Sequence, residues 1–250
     1  MKKEIPILMY HQFINERKKN TSIETFVTGK QFERHLKLLK LLGYETITFK
    51  DLEKIKLENR FKKKYIIITV DDGYKNNYEV MFPLLKKYKM KAVIFLVSDL
   101  KYNEWDVKKF NEEKIMLMDD FQINDMINSG LIEFGGHTST HCDFHLIKLD
   151  KAINEIKKNK EYLEEKYNIK LVSFAYPYGH LNREVKNIVK DVGYKFAVAT
   201  DSGSGYIPDD LYEIRRTAID KTSIFDFMRK ISFNYSIYKG KKWKKRKKNE

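Results

Sequence analysis

Two adjacent carboxylates, Asp71 and Asp72, end the run Lys64–Tyr74, KYIIITVDDGY. Tyr65 to Val70 is apolar and β-branched, the pattern of a strand covered on both faces in a parallel sheet. Carboxylates at the end of such a strand are costly unless a cation, a proton or hydrogen-bond donors compensate them. A second stretch, GGHTSTHCDFH, places His137 and His141 four residues apart. On a helical turn that spacing puts both imidazoles on one side, within reach of a single cation. A carboxylate added to them makes a His₂Asp set with an open position, the donor pattern of a catalytic zinc-type centre. A third stretch, YPYGH, follows the run Leu171 to Ala175. An Asp-Gly turn and two solvated histidines are the plainer reading of each motif alone; together they point to one metal-dependent hydrolytic site.

Something must bring these three strand ends to one face. Apolar strand runs alternate with amphipathic helices along the chain, which predicts βα units around a parallel sheet or barrel. Ile5 to Met9 predicts a first strand, running into Tyr10, His11 and Gln12. Thr28 with Gln31 has capping-box spacing, and Phe32, Leu36, Leu39 and Leu42 form the stripe of the helix that follows. His35 lies off that stripe and reads as solvated. Asp51 is placed to cap a short helix, Pro83 to mark a first turn or kink, Asp119 or Asp120 to cap another helix, and Asn182 a further one. Leu149 to Tyr167 predicts a long helix, and Tyr212 to Ala218 a last strand. Residues 99–118 are polar-aromatic and irregular, with no role assigned. No internal repeat or linker divides the chain, so one α/β domain over residues 1–238 is expected.

The segments TVDDG, HTSTH and FAYPYG, in this order, resemble the metal-dependent polysaccharide deacetylases, carbohydrate esterase family 4 or the NodB-homology domain. PILMYHQF, QFERHLKLLKLLGYETIT and the late YEIRR narrow the resemblance to the branch with the poly-N-acetylglucosamine deacetylases. It covers nearly all of residues 5–232 and implies a distorted (β/α)7-type barrel. It also implies Asp72, His137 and His141 as ligands of a divalent metal, Zn2+ foremost, with Co2+, Ni2+ or Fe2+ fitting the same donors. Asp71 then corresponds to the general base, and the backbone N–H of Tyr178 to the donor that meets the oxyanion. Two departures stand out. Many members carry an Arg where this chain has Ala175, which leaves Asp71 without its usual partner. The Leu-x-His motif that supplies a general acid is missing, and His11 is assigned that role. Tyr10, Tyr176, Pro177 and Tyr178 are expected to bind the sugar. His145 and His180 read as solvated loop residues, and Cys142 is left out of the site.

The net charge of +14 is uneven: Lys239–Glu250 holds eight Lys or Arg against one acid, half of the excess. This segment is expected to be a basic tail, solvated or in contact with an anionic membrane at about 1 kcal/mol per basic residue. Nucleic-acid binding has no recognition motif behind it. The lone Cys142 cannot form an intramolecular disulfide. No secretory leader is read in MKKEIPILMYHQF, so a cytoplasmic protein, or one peripheral on the cytoplasmic membrane face, is expected, extracellular only if a leader was removed. The substrate class is an acetylated amino-sugar glycan or a lipid-linked sugar. The competing expectation is a catalytically weak carbohydrate-binding relative docked to a membrane through the basic tail.

Overall fold

The structure, a computed structural model, describes residues 4–15, 25–55, 63–110, 113–220 and 222–247. The chain opens with β1 (Ile7–Tyr10), β2 (Gln12–Ile14) and β3 (Phe26–Thr28), then α1 (Gly29–Leu41), β4 (Tyr44–Thr46) and α2 (Phe49–Lys54). The central strand β5 (Lys64–Val70) leads through a wide turn into α3 (Phe82–Tyr88), whose first turn holds Pro83. Next come β6 (Ala92–Leu96), α4 (Glu104–Phe110), α5 (Asp120–Asn128), β7 (Ile132–Gly136) and α6 (Leu149–Tyr167). Then follow β8 (Ser173–Ala175), α7 (Arg183–Asp191), β9 (Phe196–Val198) and β10 (Thr217–Ala218), and finally α8 (Ile224–Lys230) and α9 (Phe233–Lys247).

The strands of the main sheet are parallel and run β10-β1-β5-β6-β7-β8-β9, with β4 added beside β5. The two ends of this row meet through one segment. Ile214 bridges Val198 of β9, and three residues later Thr217 pairs with Leu8 of β1. The sheet thereby curls into the expected seven-strand barrel, with residues 214–218 as its closing seam.

Alternation along the strands sorts the core into two layers. Ile7, Ile67, Val93, Phe95, Val172, Val198 and Ile214 pack together inside the barrel. Leu8, Tyr10, Ile66, Ile68, Val70, Ile94 and Leu96 belong to the layer beneath the helices, with Phe32, Leu36, Leu39, Ile156 and Leu163. Helix starts follow the local chemistry. Thr28 and Gln31 form a reciprocal capping box on α1, and Asp119 and Gln122 do so on α5. On α2 the cap is Thr48, and Asp51 is the third-position partner of its box rather than the cap. Asn182 caps α7.

His35 corrects the expectation of a solvated residue: it is 2% exposed. Its Nδ1 lies 3.2 Å from the Tyr10 hydroxyl, and its ring stacks on Phe227 at 3.9 Å. The apolar face of α1 is wider than the Phe32–Leu36–Leu39 stripe because α8 packs on its flank. Burial, with the Lys230 charge adding to it, pushes the His35 pKa from 6.5 down to about 4. Between those values the unfolded chain binds the proton and the folded one does not, so stability rises with pH across this window. Wild type should therefore lose on the order of 3 kcal/mol between pH 6.5 and 4 that a His35→Phe variant does not lose. Urea unfolding of both proteins across that range checks this, and parallel pH profiles would contradict it.

The basic C-terminal segment begins within a helix. Helix α9 runs unbroken through residue 238. A Cβ at Gly240 would lie 1.7 Å from the Ser204 carbonyl oxygen, so only glycine lets the helix sit this close to the 201–206 loop. Lys244 reaches Asp209 at 3.2 Å. Residues 248–250 lie outside the described residues. No helix among the described residues is long and apolar enough to cross a membrane.

Candidate active site

Adjacent residues on a regular strand point to opposite faces, yet Asp71 and Asp72 both serve one cleft. Asp72 adopts a left-handed φ of 75°, which turns its carboxylate back toward the side Asp71 faces. Thr138, His141 and Tyr178 also take positive φ. The other non-glycine cases, Lys89 and Asn168, are ordinary helix C-caps. Strained backbone of this kind persists where the surroundings over-determine it, as at active sites.

The two histidines converge by a different route from the one their spacing suggested. Residues 137–141 form a loop after β7, not a helical turn. Helix α6 holds that loop. Glu155 accepts hydrogen bonds from the Thr140 N–H at 2.9 Å and the Thr140 hydroxyl at 2.9 Å, and Asn159 donates to the Thr138 carbonyl at 2.7 Å. The two glycines before the loop are required by close packing. A Cβ on Gly136 would fall 2.1 Å from the Tyr194 hydroxyl, and one on Gly135 2.7 Å from the Ser173 carbonyl.

Asp72 Oδ1 lies 3.3 Å from Nε2 of both His137 and His141, and all three residues are buried. That oxygen makes no hydrogen bond to a protein group. His137 Nδ1–H donates to the Ala175 carbonyl at 2.7 Å, which fixes the tautomer and turns the Nε2 lone pair toward Asp72. His141 is held by ring contacts, stacked at 4.3 Å on Trp105 and edge-on to Tyr178 at 4.7 Å. Burial opposes ionisation of Asp72, but the two imidazoles outweigh it and hold its carboxyl well below the ordinary range. Burial also lowers the pKa of His141, favouring the neutral ring a ligand must present. Around a tetrahedral ion, N and O ligands at about 2.0–2.1 Å stand about 3.3–3.4 Å apart. The orphaned oxygen, the aimed lone pair and the spacing fit a divalent cation.

Asp71 has the partner that its sequence context left open. Arg216, on the closing seam, grips it with both arms, Nη1 to Oδ1 at 2.6 Å and Nη2 to Oδ2 at 2.8 Å. The same guanidinium donates to the Thr69 hydroxyl and the Ala199 carbonyl, each at 3.1 Å, and its side chain is wholly buried. Burial works to raise the Asp71 pKa, and Arg216 with the nearby imidazoles outweighs it, so the carboxyl is held below its ordinary value. A sign of this was present in YEIRR: arginines in an apolar strand context between Ile214 and Ile219 demand an internal counter-charge.

A cleft of about 420 Å³ opens over these groups, large enough for a sugar unit. Met9, His11, Asp71, Asp72, His137, His141, Tyr176 and Tyr178 line it, with Thr25, Tyr74, Trp105, Asp106 and Thr200. His11 Nε2 stands 3.8 Å from Asp71 Oδ2, and its side chain is 22% exposed at the mouth. The expected sugar-binding residues divide. Tyr178 is half-buried at the cleft. Tyr176 contributes to the wall, but it is 1% exposed and its hydroxyl donates to the Tyr212 carbonyl. Tyr10 is not in the cleft. Strand alternation sends Met9 and His11 there and Tyr10 outward, against Phe13, Phe32 and His35. Pro177 is buried in the turn beneath Tyr178 and does not line the cleft. Trp105 and Asp106, from the stretch without a role in the sequence, supply one wall: Trp105 backs His141, and Asp106 accepts from the Tyr74 hydroxyl at 3.1 Å.

The profile of the family described as polysaccharide deacetylase matches residues 58–197, more than half of the chain. The chain belongs to this family. A Bacillus subtilis relative named as a polysaccharide deacetylase is 29% identical over 217 residues, covering 86% of this chain and 71% of its own length. A Staphylococcus aureus poly-beta-1,6-N-acetyl-D-glucosamine N-deacetylase is 29% identical over 207 residues, 75% of this chain and 69% of that protein. Among solved structures, a Streptococcus pyogenes deacetylase in complex with acetate superposes with a TM-score of 0.79 at 25% identity, covering 92% of this chain and 98% of that one. A polysaccharide deacetylase from Bacillus cereus gives 0.75 at 29% identity, over 92% of this chain and 69% of the other. The structural likenesses agree with the barrel of this family member.

Proposed function

We propose that the protein is a metal-dependent N-deacetylase of amino-sugar glycans, with poly-N-acetylglucosamine-type chains as its substrate class. The observation that carries the reading is the bidentate Asp71–Arg216 pair beside the Asp72, His137 and His141 cluster in one cleft. The staphylococcal relative named for this substrate supports the choice of sugar. A divalent cation held by Asp72, His137 and His141, Zn2+ foremost, would supply Lewis acidity toward the acetamide carbonyl and make water a better nucleophile at neutral pH. Arg216 keeps Asp71 ionised and in one orientation, ready to accept the proton of the attacking water. The Tyr178 N–H, on its left-handed turn, donates to the oxygen on which charge develops. His11, at the mouth and on the Asp71 side, gives a proton to the departing amine. Trp105 and Tyr178 wall the cleft and exclude bulk water around the bond being broken.

A carbohydrate-binding relative without turnover gains no support from this site, because the base keeps an arginine and the ligand set is complete. The test is acetate release from β-1,6-linked N-acetylglucosamine oligomers, compared with an O-acetylated xylan oligomer. Release from the first and little from the second is expected; the reverse order would overturn the N-acetyl assignment. The role of His11 has its own signature. An amine is a poor leaving group and needs a proton, whereas a nitrophenolate does not. His11→Gln should therefore lower acetate release from the oligomers by about 10²–10⁴. It should leave hydrolysis of 4-nitrophenyl acetate nearly unchanged. Equal loss on both substrates would remove His11 as the acid.

A further inference from the structure

Beyond the cleft, the loops after β7 and β8 bring together a second group of metal-ligating side chains. Asp143, His145 and His180 each place a donor atom within 4.8 Å of the others. His180 Nδ1 meets Asp143 Oδ1 at 2.7 Å, and the His145 backbone N–H donates to the same oxygen at 3.0 Å. The two imidazoles lie face to face at 4.1 Å with only 12° between their planes. Asp143 is mostly buried, at 11% side-chain exposure, while His180 at 38% and His145 are open to solvent.

Asp143 Oδ1 draws both residues together through its contacts with His180 Nδ1 and the His145 N–H, and two rings stacked this closely repel if both are protonated. The same carboxylate and the two rings leave their donor atoms close enough to share a cation. We propose that Asp143, His145 and His180 form a second, solvent-open site for a Zn2+-class transition ion. Two imidazoles and one carboxylate select such an ion over Ca2+ or Mg2+, which take oxygen donors. The exposed His145 ring is free to turn about its side-chain torsions and bring its nitrogen to ligand distance, and solvent completes the coordination. Such an ion would clip together two loops 35 residues apart. One of those loops carries the ligand His141 and the other carries Tyr178, so the clip would steady both sides of the cleft mouth. It is independent of the deacetylase reading.

Calorimetric titration of Zn2+ into the purified protein, with its tightly held ion in place, tests the site. Wild type should bind one further equivalent, with affinity lowered in His145→Ala by at least the roughly 10–100-fold that losing even an outer partner of a ligand costs. His145 is exposed, so this variant is expected to fold as wild type does. His137→Ala should keep the additional equivalent, because that residue belongs to the other cluster. Excess Zn2+ should raise the Tm of wild type but not that of His145→Ala. No further equivalent, or one bound equally well by His145→Ala, would show that the three side chains form a hydrogen-bonded cluster and nothing more.

Discussion

Replacing Asp71 by Asn is expected to lower acetate release from N-acetylglucosamine oligomers by about 10²–10⁴ while leaving the bound metal in place. The two adjacent carboxylates have separate partners, and the variant exploits that separation. Asp72 faces His137 and His141 at 3.3 Å each, whereas Asp71 faces Arg216 on one side and His11 on the other. An Asn at position 71 preserves the shape but cannot accept a proton at neutral pH. It also leaves the buried Arg216 without its counter-charge, so the variant should be less stable and is best assayed well below its unfolding midpoint. Turnover that survives at the wild-type rate, with metal bound, would remove Asp71 as the base.

The second large effect falls on Arg216. Arg216→Met strips the charge from a wholly buried pair and should destabilise the protein by about 3–5 kcal/mol. The catalytic consequence is separable through pH. In wild type the Asp71 carboxyl is held below its ordinary value against the opposing pull of burial. That stability is present above the unfolded carboxyl pKa and is lost as pH falls through the folded one. Without the guanidinium, burial dominates and the folded pKa rises, so the acidic limb of the pH–rate profile should move to higher pH in the variant. Arg216→Lys should restore part of the shift but not the full rate, since an ammonium cannot reproduce the two-armed grip. An unmoved acidic limb in Arg216→Met would mean that Asp71 is not governed by this residue.

Much of this was legible in the sequence because the informative residues sit where local pattern and topology coincide. The apolar run before Asp71 fixes β5, and strand ends in a closed parallel sheet share one face, which is why three separate motifs meet. What failed was local geometry set by tertiary contacts. The four-residue spacing of His137 and His141 suggested a helical turn, but Glu155 and Asn159 of α6 hold the segment as a loop with left-handed residues. Tyr10 is expected at the sugar with Tyr176 and Tyr178, but strand alternation sends it to His35 instead. His35 itself looked solvated because the stripe on α1 gives no hint that α8 returns to cover its flank. Arg216 was hardest to see: it comes 145 residues after Asp71 and arrives beside it only through the seam that closes the barrel. The basic C-terminal run shows the same limit, since composition reports its charge but not that Gly240 lets α9 pack against the 201–206 loop.

The measurement that tests the metal-dependent deacetylase most directly is metal content after exhaustive dialysis, paired with acetate release, for wild type and His137→Ala. The geometry of Asp72, His137 and His141 predicts one tightly held divalent ion per wild-type chain with acetate release from N-acetylglucosamine oligomers, both lost in the variant. Wild-type protein that holds no ion after exposure to Zn2+, or a variant that keeps both the ion and the activity, would contradict it.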